Sequence, residues 1–364
     1  MQETHLVYCL LGLPSAFSQW LLHVVAALIQ ETCGAVHICP IVFLEDLRKS
    51  WTQREGRPVL IFSDIPEAKL VQIAMATGVP TVLAYEAMPD ALQYAMATRE
   101  IDLRQGVRFL SQSYATLERA FLSPAVTTVG PSVFTMRLRH FLPALAEGYR
   151  IELPQPSLER LCARLIGPGG ESGDETVREN IARHIPLAKR DPRRVLSPDH
   201  LDLAHKALDQ FAGLTRGEPL RRVTLPYNLL PDWDHPSNFL NGPIDLTGPR
   251  RLLTAGHTLH LPAGHWRAHF NIEVADNISG NDLEVDILLG DESRGGVAAP
   301  LPAFGGYEFS FDFETNDAFP PIQARVVLNE GAIEGELTIE DIVFERRDVA
   351  VPDHSAPPAL PSSD

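Results

Sequence analysis

The residues of this sequence best suited to chemistry lie in a short turn near the N terminus. The stretch GLPSAFSQW follows an apolar run and precedes a helical pattern, which predicts a strand, a tight turn and a helix. Such a turn holds phosphate in many folds through backbone N–H groups, a glycine for close approach and a Lys or Arg. Phe17 stands where close approach favours glycine, and the turn has no basic residue, so it is not a Walker A sequence. The residues that could still hold a phosphate are Gly12, Pro14, Ser15, Ser18, Gln19 and Trp20.

This turn also fits a purely structural interpretation. In that case Ser18 caps the helix and Trp20 packs in the core, as in an ordinary strand, turn and helix. Both interpretations stay open from the sequence, and neither assigns a catalytic residue.

A second group of candidate residues could bind a saccharide, because aromatic rings stack on sugars and histidines donate hydrogen bonds. In HWRAHFNIEV the alternation of apolar and polar residues turns Trp266 inward, so that ring is expected in the core. A role in packing or at the surface fits each of the remaining candidates as well. These candidates are Trp233, His265, His269 and Tyr307.

A third group could hold a structural calcium ion. The segment ADNISGNDLEVD places carboxylate and amide oxygens around a glycine turn, and Ca²⁺ prefers oxygen ligands on flexible loops. The spacing is not that of an EF-hand, and a solvated Asn/Gly hairpin explains the same residues. The candidate ligands are Asp276, Asn277, Asn281 and Asp282.

The elements that must position these residues change along the chain. Residues 1–150 alternate apolar strand-like runs with helical stretches, which predicts a parallel sheet covered by helices in a three-layer α/β domain. Ligands of such sheets bind beyond the carboxyl ends of the strands. Residues 151–231 predict a helical extension and linker, in which Ser197 caps a helix that begins at Pro198.

Residues 232–350 have a different composition and a different period. Short strands with alternating apolar and polar residues predict an antiparallel, jelly-roll-like β-sandwich, and residues 351–364 predict a flexible tail. Residues 1–231 carry equal numbers of acidic and basic residues, so the whole net charge of −16 falls on the last third, which has no lysine. An acidic module repels phosphate backbones and anionic lipid surfaces, so neither nucleic acid nor a membrane surface is expected as its partner.

The opening turn resembles that of the sulfotransferases that use phosphoadenosyl-phosphosulfate. Those enzymes open with a strand, the motif P-(K/R)-S-G-T-(S/T)-W, and a helix that starts at the tryptophan. Pro14, one hydroxyl and Trp20 match this motif at the right spacing, whereas Ser15 replaces the basic residue and Phe17 replaces the glycine. The resemblance covers about residues 1–125 and implies a P-loop-like domain.

A second motif of that family also departs from its pattern. An Arg-Asp-Pro motif binds the 3′-phosphate of the nucleotide after a later strand. The segment VLAYEAMPDALQYA lies at the comparable place, with Pro89 and Asp90, but Glu86, Ala87 and Met88 stand where the arginine would be. The resemblance therefore implies a sulfotransferase-like domain without its anion-binding side chains, a pseudoenzyme.

The last third resembles the β-sandwiches appended to bacterial glycosyltransferases and other polysaccharide enzymes. The segments that carry this resemblance are LHLPAGHWRAHFNIEV and GELTIEDIVFERR. The resemblance implies a carbohydrate-binding context without identifying a binding face.

Together these features predict a non-catalytic or strongly diverged accessory protein of polysaccharide or glycoconjugate biosynthesis, which recognises a glycan or a partner enzyme. No cofactor is expected, apart from the calcium considered above. The alternatives are an active sulfotransferase or related glycan-modifying transferase, which would bind phosphoadenosyl-phosphosulfate with help from Arg99, Arg104 or Arg108, and a structural protein whose sandwich serves for homo-oligomerisation. The sequence has no apolar run long enough for a membrane span and no positive signal-peptide region, so a cytoplasmic location is expected.

Overall fold

The chain forms a three-layer α/β unit followed by two antiparallel sheets, which confirms the fold class predicted from the sequence. The tail predicted for residues 351–364 lies outside the part of the chain that the structure describes. This computed structural model describes residues 7–167, 175–189, 196–235, 238–278 and 280–347.

Five parallel strands form the centre of the N-terminal unit. They are β1 (Val7–Gly12), β2 (His37–Pro40), β3 (Val59–Ser63), β4 (Thr81–Ala84) and β5 (Val126–Val129). Their order across the sheet is β2-β3-β1-β4-β5, and each pair of neighbours is parallel. Strand β1 lies between β3 and β4. The turn after Gly12 therefore lies at the carboxyl edge of the sheet, where ligands of doubly wound sheets bind.

Helices cover both faces of this sheet. They are α1 (Ala16–Cys33), α2 (Leu44–Trp51), α3 (Ala68–Thr77), α4 (Met88–Arg99), α5 (Leu103–Phe121) and α6 (Leu138–Gly148). The side chains of β1 alternate between two apolar cores, with Tyr8 and Leu10 in the core that α1 and α6 cover. Cys9 and Leu11 belong to the core on the other face, which α3 and α5 cover. Strands buried on both faces are continuously apolar for this reason.

Three further helices extend the unit: α7 (Gln155–Ile166), α8 (Val177–His184) and α9 (Pro198–Leu208). The buried residues of α7 and α8 join the core beneath α1, whereas those of α9 join the core beneath α5. The hydroxyl of Ser197 accepts a hydrogen bond from the N–H of His200 at 3.2 Å, so it caps α9 as the sequence predicts.

The C-terminal unit consists of two antiparallel sheets. Its strands are β6 (Arg222–Leu225), β7 (Ile244–Asp245), β8 (Arg251–Leu259), β9 (Gly264–Ala275), β10 (Asn281–Leu289), β11 (Glu292–Leu301), β12 (Gly305–Thr315), β13 (Ile322–Leu328), β14 (Glu336–Ile339) and β15 (Ile342–Arg346). One sheet has the order β11-β10-β13-β8. In the other sheet β9 pairs with β12 along one side and with β14 and β15 along the other, while β7 and β6 extend it. Strand β6 precedes residue 232, the predicted start of the sandwich.

Buried and more exposed side chains alternate along β9, as the sequence predicts. The inward side chains of this strand are buried, and they share one core with the inner side chains of β10 and β13. Trp266 is fully buried, and its indole N–H donates to the carbonyl oxygen of Pro262 at 3.1 Å. The two sheets therefore pack face to face as a sandwich.

The two units are joined by polar and apolar contacts. The Arg346 guanidinium, at the end of β15, lies 2.8 and 2.9 Å from the two carboxylate oxygens of Glu118 on α5. The N–H of His260, after β8, donates to the hydroxyl of Ser111 at 3.2 Å. One apolar core runs from α3 and α5 into both sheets of the sandwich, so the units share buried surface.

Candidate functional site

The turn between β1 and α1 is closed and internally bonded. The hydroxyl of Ser15 accepts a hydrogen bond from the N–H of Ser18 at 3.1 Å and contacts the Ser18 hydroxyl at 3.0 Å. Ser15 is therefore the cap of α1, whereas the structural interpretation of the sequence gave that role to Ser18. A Cβ atom on Gly12 would lie 2.5 Å from the Ser18 hydroxyl oxygen, so this position requires glycine. All residues from Leu11 to Ser18 are buried.

Phe17 and Trp20 point into the core beneath α1. Both side chains are at most 1% exposed, and their rings stack with centroids 5.8 Å apart. Phe134 packs edge-on against Phe17 at 5.1 Å, and the Trp20 indole N–H donates to the side-chain oxygen of Asn180 at 2.8 Å. The Phe17 ring is thus a core residue, and it is the backbone N–H of Phe17 that faces the turn.

A carboxyl group of the chain itself accepts a hydrogen bond from that N–H group. Glu86, two residues after β4, accepts a hydrogen bond from the N–H of Phe17 at 3.2 Å, and it is 8% exposed. The register that places Gly12 opposite Ala84 brings the end of β4 beside the turn. The N-terminus of α1, a position that favours anions, therefore holds a carboxyl group of the chain itself.

Burial raises the pKa of Glu86 from 4.5 to about 7, because removal from water disfavours the charged form. Hydrogen bonds from the Phe17 N–H and the Ser15 hydroxyl favour the ionised form and act in the opposite direction. Asp90 raises this pKa and Arg178 lowers it through their charges. The turn is therefore poised between a neutral and a negative state near neutral pH.

A second carboxyl group lies on the other side of the turn. Asp64 follows β3, its pKa is raised by burial, and Arg99 and Gln19 oppose that rise. The Arg99 guanidinium lies 3.4 Å from an Asp64 carboxylate oxygen. The carboxyl edge of the sheet thus presents two carboxyl groups where a nucleotide site would present cations.

The arginines that the transferase alternative invoked lie in different places. Arg99 pairs with Asp64 at the edge of the sheet, but Arg104 stacks over the Phe239 ring at 4.7 Å and donates to the carbonyl of Asn238 at 3.4 Å. Arg108 lies near His260, in the junction with the sandwich, where its charge lowers the histidine pKa.

Arg178 is a residue of this site that sequence reasoning missed. It lies on α8, over the Phe134 ring at 5.1 Å, and its charge lowers the pKa of Glu86. No motif marks it, because α8 reaches the turn only through the packing of the helical extension on α1. Predicting that Arg178 belongs to this site would have required knowing where the helical extension packs.

The four saccharide candidates do not form one group. His265 and His269 lie on the outer face of β9, where His269 Nδ1 is 2.6 Å from a carboxylate oxygen of Glu308. Tyr307 pairs with the buried Ile272, so it belongs to the opposite face, at the end of the sandwich, and is 44% exposed. Trp233 lies in the loop before β7 and is 45% exposed.

Charged pairs surround the two histidines. The Arg267 guanidinium binds both carboxylate oxygens of Asp312, at 2.8 and 2.7 Å. Glu345 of β15 lies 3.7 Å from His269 Nε2. This outer face of β9 and β12 is therefore polar, and these charged groups are paired with one another.

The amides among the calcium candidates hold loops together. Asn277 and Asn281 are 1% and 4% exposed and are hydrogen-bonded to each other. The Asn277 amide also donates to the carbonyl of Pro302 at 3.0 Å. Asp276 has a left-handed backbone with φ of 55°. In the described part of the chain no group of three His, Cys, Asp or Glu side chains could hold a metal. Calcium binding by Asp276, Asn277, Asn281 and Asp282 stays a prediction.

Over the described ranges, no helix is both long enough and apolar enough to cross a membrane.

Comparison with known proteins gives similarities in fold only. No family model and no curated protein matches the chain. Mouse sulfotransferase SULT7A1, in complex with PAP, is similar over 58% of this chain and 87% of its own, with 12% identity and a TM-score of 0.38. The C-terminal CBM6 of LamC, a marine laminarinase from Zobellia galactanivorans, is similar over 34% of this chain and 99% of its own, with 11% identity and a TM-score of 0.24. The CBM36-1 domain of a xylanase from the hindgut metagenome of Trinervitermes trinervoides is similar over 35% of this chain and 99% of its own, with 11% identity and a TM-score of 0.26. A sulfotransferase and carbohydrate-binding modules are thus among the structures that this chain is similar to.

Proposed function

We propose that this chain is a non-catalytic, sulfotransferase-like accessory protein of polysaccharide or glycoconjugate biosynthesis, which recognises a glycan or a partner enzyme. The observation that carries the first part is the Glu86 carboxylate, bonded to the N–H of Phe17 at the start of α1. A phosphate or sulfonate oxygen at this turn would compete with the carboxylate for the same N–H.

Electrostatics supports the absence of nucleotide binding. Two like unit charges 4 Å apart repel by about 4 kcal/mol at an effective dielectric constant of 20, which corresponds to about a thousandfold in affinity. A missing Lys or Arg forgoes a further charge-assisted hydrogen bond of about 1.5–3 kcal/mol. Burial of the turn from Leu11 to Ser18 adds a steric obstacle, because its backbone has no open face.

Calorimetry with phosphoadenosine-phosphate at pH 8, where Glu86 is ionised, tests this part of the proposal. The full-length chain is expected to give no binding heat up to millimolar nucleotide. The Glu86→Gln variant removes the charge and keeps an acceptor for the Phe17 N–H, and the exposed Glu147 on α6 offers a matched control, Glu147→Gln. A micromolar dissociation constant for the unmodified chain would overturn the proposal.

An active transferase is the second candidate function, and Arg178 is the observation that favours it. This side chain is exposed and lies close enough to Glu86 to lower its pKa, so the turn is not without a cation. The same titration distinguishes the two functions. Nucleotide binding that is lost in Arg178→Ala and kept in the control Arg164→Ala would support the transferase.

The glycan part of the proposal is supported by the segments that resemble the sandwiches of polysaccharide enzymes and by the polar outer face of β9 and β12. A glycan array probed with the full-length chain tests it, together with light scattering of the same sample. Binding to a defined set of glycans supports recognition. An oligomer that binds no glycan on the array would instead support the structural alternative.

A further inference from the structure

A cavity of about 250 Å³ lies where the two units meet. Helices α3 and α5 form one wall, and the loop that follows β8, the loop that follows β12 and the end of β15 form the other. Pockets between domains are frequent ligand sites. Neither unit contains this cavity alone, so it is a property of the docked pair.

Two buried charged side chains that line the cavity form an ion pair with each other. Glu118 and Arg346 both line it, and their side chains are 6% and 12% exposed. Glu118 also accepts the N–H of Leu220 at 3.1 Å, and Arg346 donates to the carbonyl of Ala263 at 2.7 Å. A charged ligand would have to compete with this pair of opposite charges, whereas a neutral ligand would not.

The rest of the lining offers balanced polarity. Arg119 and Asp317 contribute one charge of each sign, and the side chains of Gln72 and Asn316 have both donors and acceptors. Thr116 also lines the cavity, and its hydroxyl donates to the carbonyl of Gln112 at 2.8 Å, which leaves the oxygen able to accept a hydrogen bond. Groups that both donate and accept are what a hydroxyl-rich ligand requires.

The volume of the cavity and its apolar lining restrict the class of ligand further. Sites for drug-sized ligands have volumes of roughly 300–1,000 Å³, so a cavity of about 250 Å³ suits a single ring and is too small for a dinucleotide or a long oligosaccharide. Ala68, Val71 and Pro262 add aliphatic wall against which the C–H face of a ring can pack.

We propose that this cavity binds one neutral, polyhydroxylated ring, such as the terminal residue of a neutral glycan. The inference rests on the proposed glycan recognition for its choice of ligand, and it assigns that recognition to the domain junction instead of the outer face of β9 and β12. It also explains why a sulfotransferase-like unit is joined to a sandwich, since the binding site needs both.

Saturation-transfer NMR and calorimetry on the full-length chain test the proposal. The probes are methyl glucoside, methyl galactoside and methyl mannoside, with glucuronate and glucosamine as charged counterparts. At least one neutral probe is expected to bind, and no charged counterpart is expected to bind more tightly. Ala68→Leu fills the cavity and Gln72→Ala removes a polar group of its rim, so each is expected to weaken binding at least tenfold.

The matched control is Ala76→Leu, which places the same side chain on an exposed part of α3. Gln72 is exposed, so its variant keeps the test valid if Ala68→Leu unfolds the chain. Absence of binding by all three neutral probes overturns the inference, and so does neutral-probe binding that Gln72→Ala leaves unchanged. Glycan-array binding that both variants retain would overturn this inference and leave the proposed function standing. Absence of array binding would remove the glycan part of both.

Discussion

Replacement of Glu86 by glutamine is expected to change how the stability of the chain depends on pH. The pKa of this carboxyl is about 7 in the folded chain and near 4.5 when it is unfolded, so the folded state binds the proton more tightly. The resulting stability is fully present below pH 4.5 and is lost as the pH rises through 7. A difference of this size corresponds to about 3 kcal/mol of unfolding free energy.

Glutamine keeps an oxygen acceptor for the N–H of Phe17 and carries no charge. The variant and the unmodified chain should therefore have similar stability near pH 4.5. Above pH 8 the Glu86→Gln variant should be the more stable of the two by up to about 3 kcal/mol. Asp64 also has a pKa raised by burial, but its contribution is the same in both chains and cancels in the comparison.

Urea unfolding followed by near-ultraviolet circular dichroism at half-unit steps from pH 4.5 to 8.5 measures this difference. The control Glu147→Gln removes an exposed carboxyl and should give a curve parallel to that of the unmodified chain. Parallel curves for Glu86→Gln and the unmodified chain would show that Glu86 is not held in a buried site at the start of α1.

Three further substitutions test the packing around the turn and the junction by urea unfolding. Trp20→Phe removes the indole donor to Asn180 and should lower the unfolding free energy by about 1–3 kcal/mol, because a buried acceptor loses its partner; an unchanged midpoint would contradict that bond. Arg346→Ala leaves Glu118 buried without its counter-charge and should cost about 3–5 kcal/mol, so an unchanged unfolding free energy would contradict the buried ion pair. Gly12→Ala brings a methyl group within 2.5 Å of a hydroxyl oxygen of α1 and should cost about 1–3 kcal/mol, so full stability would refute the tight turn.

The sequence predicts the elements well where local pattern decides them. The outward alternation of Arg267 and His269 in β9 and the cap of α9 at Ser197 follow from side-chain period and from helix-end chemistry, and both appear in the structure. Such signals are local, because each residue of the pattern lies within a few positions of the next.

The contact that defines the turn is not local. Glu86 and Phe17 are 69 positions apart, and they meet only because β1 and β4 are adjacent and in a register that pairs Gly12 with Ala84. In the sequence, Glu86 stands where the sulfotransferase motif that this segment resembles has an arginine. Whether the Glu86 carboxylate contacts α1 depends on the strand order, which the sequence does not give. Phe17 was expected to obstruct the turn with its ring, whereas the ring packs in the core with Trp20.

The sequence did not show that the four saccharide candidates lie apart, for a similar reason. The face on which Tyr307 lies depends on its pairing with Ile272, and the two paired strands, β9 and β12, are separated along the chain by β10 and β11. The cavity at the junction is less predictable still, since it is formed by α3, α5 and loops more than a hundred residues further along the chain.

The domain junction also provides a way to locate a bound glycan without any substitution. A ring in the cavity contacts α3 and α5 as well as Pro262 and Ala263, so it should slow amide exchange in both units. A glycan on the outer face of β9 and β12 would contact the sandwich alone, and it should slow exchange only there. Because a ligand stabilises the state that binds it by about 2.7 kcal/mol at a hundredfold excess over its dissociation constant, the protection should be measurable in hydrogen exchange. Protection confined to β9 and β12 would place the glycan on the outer face and reject the cavity.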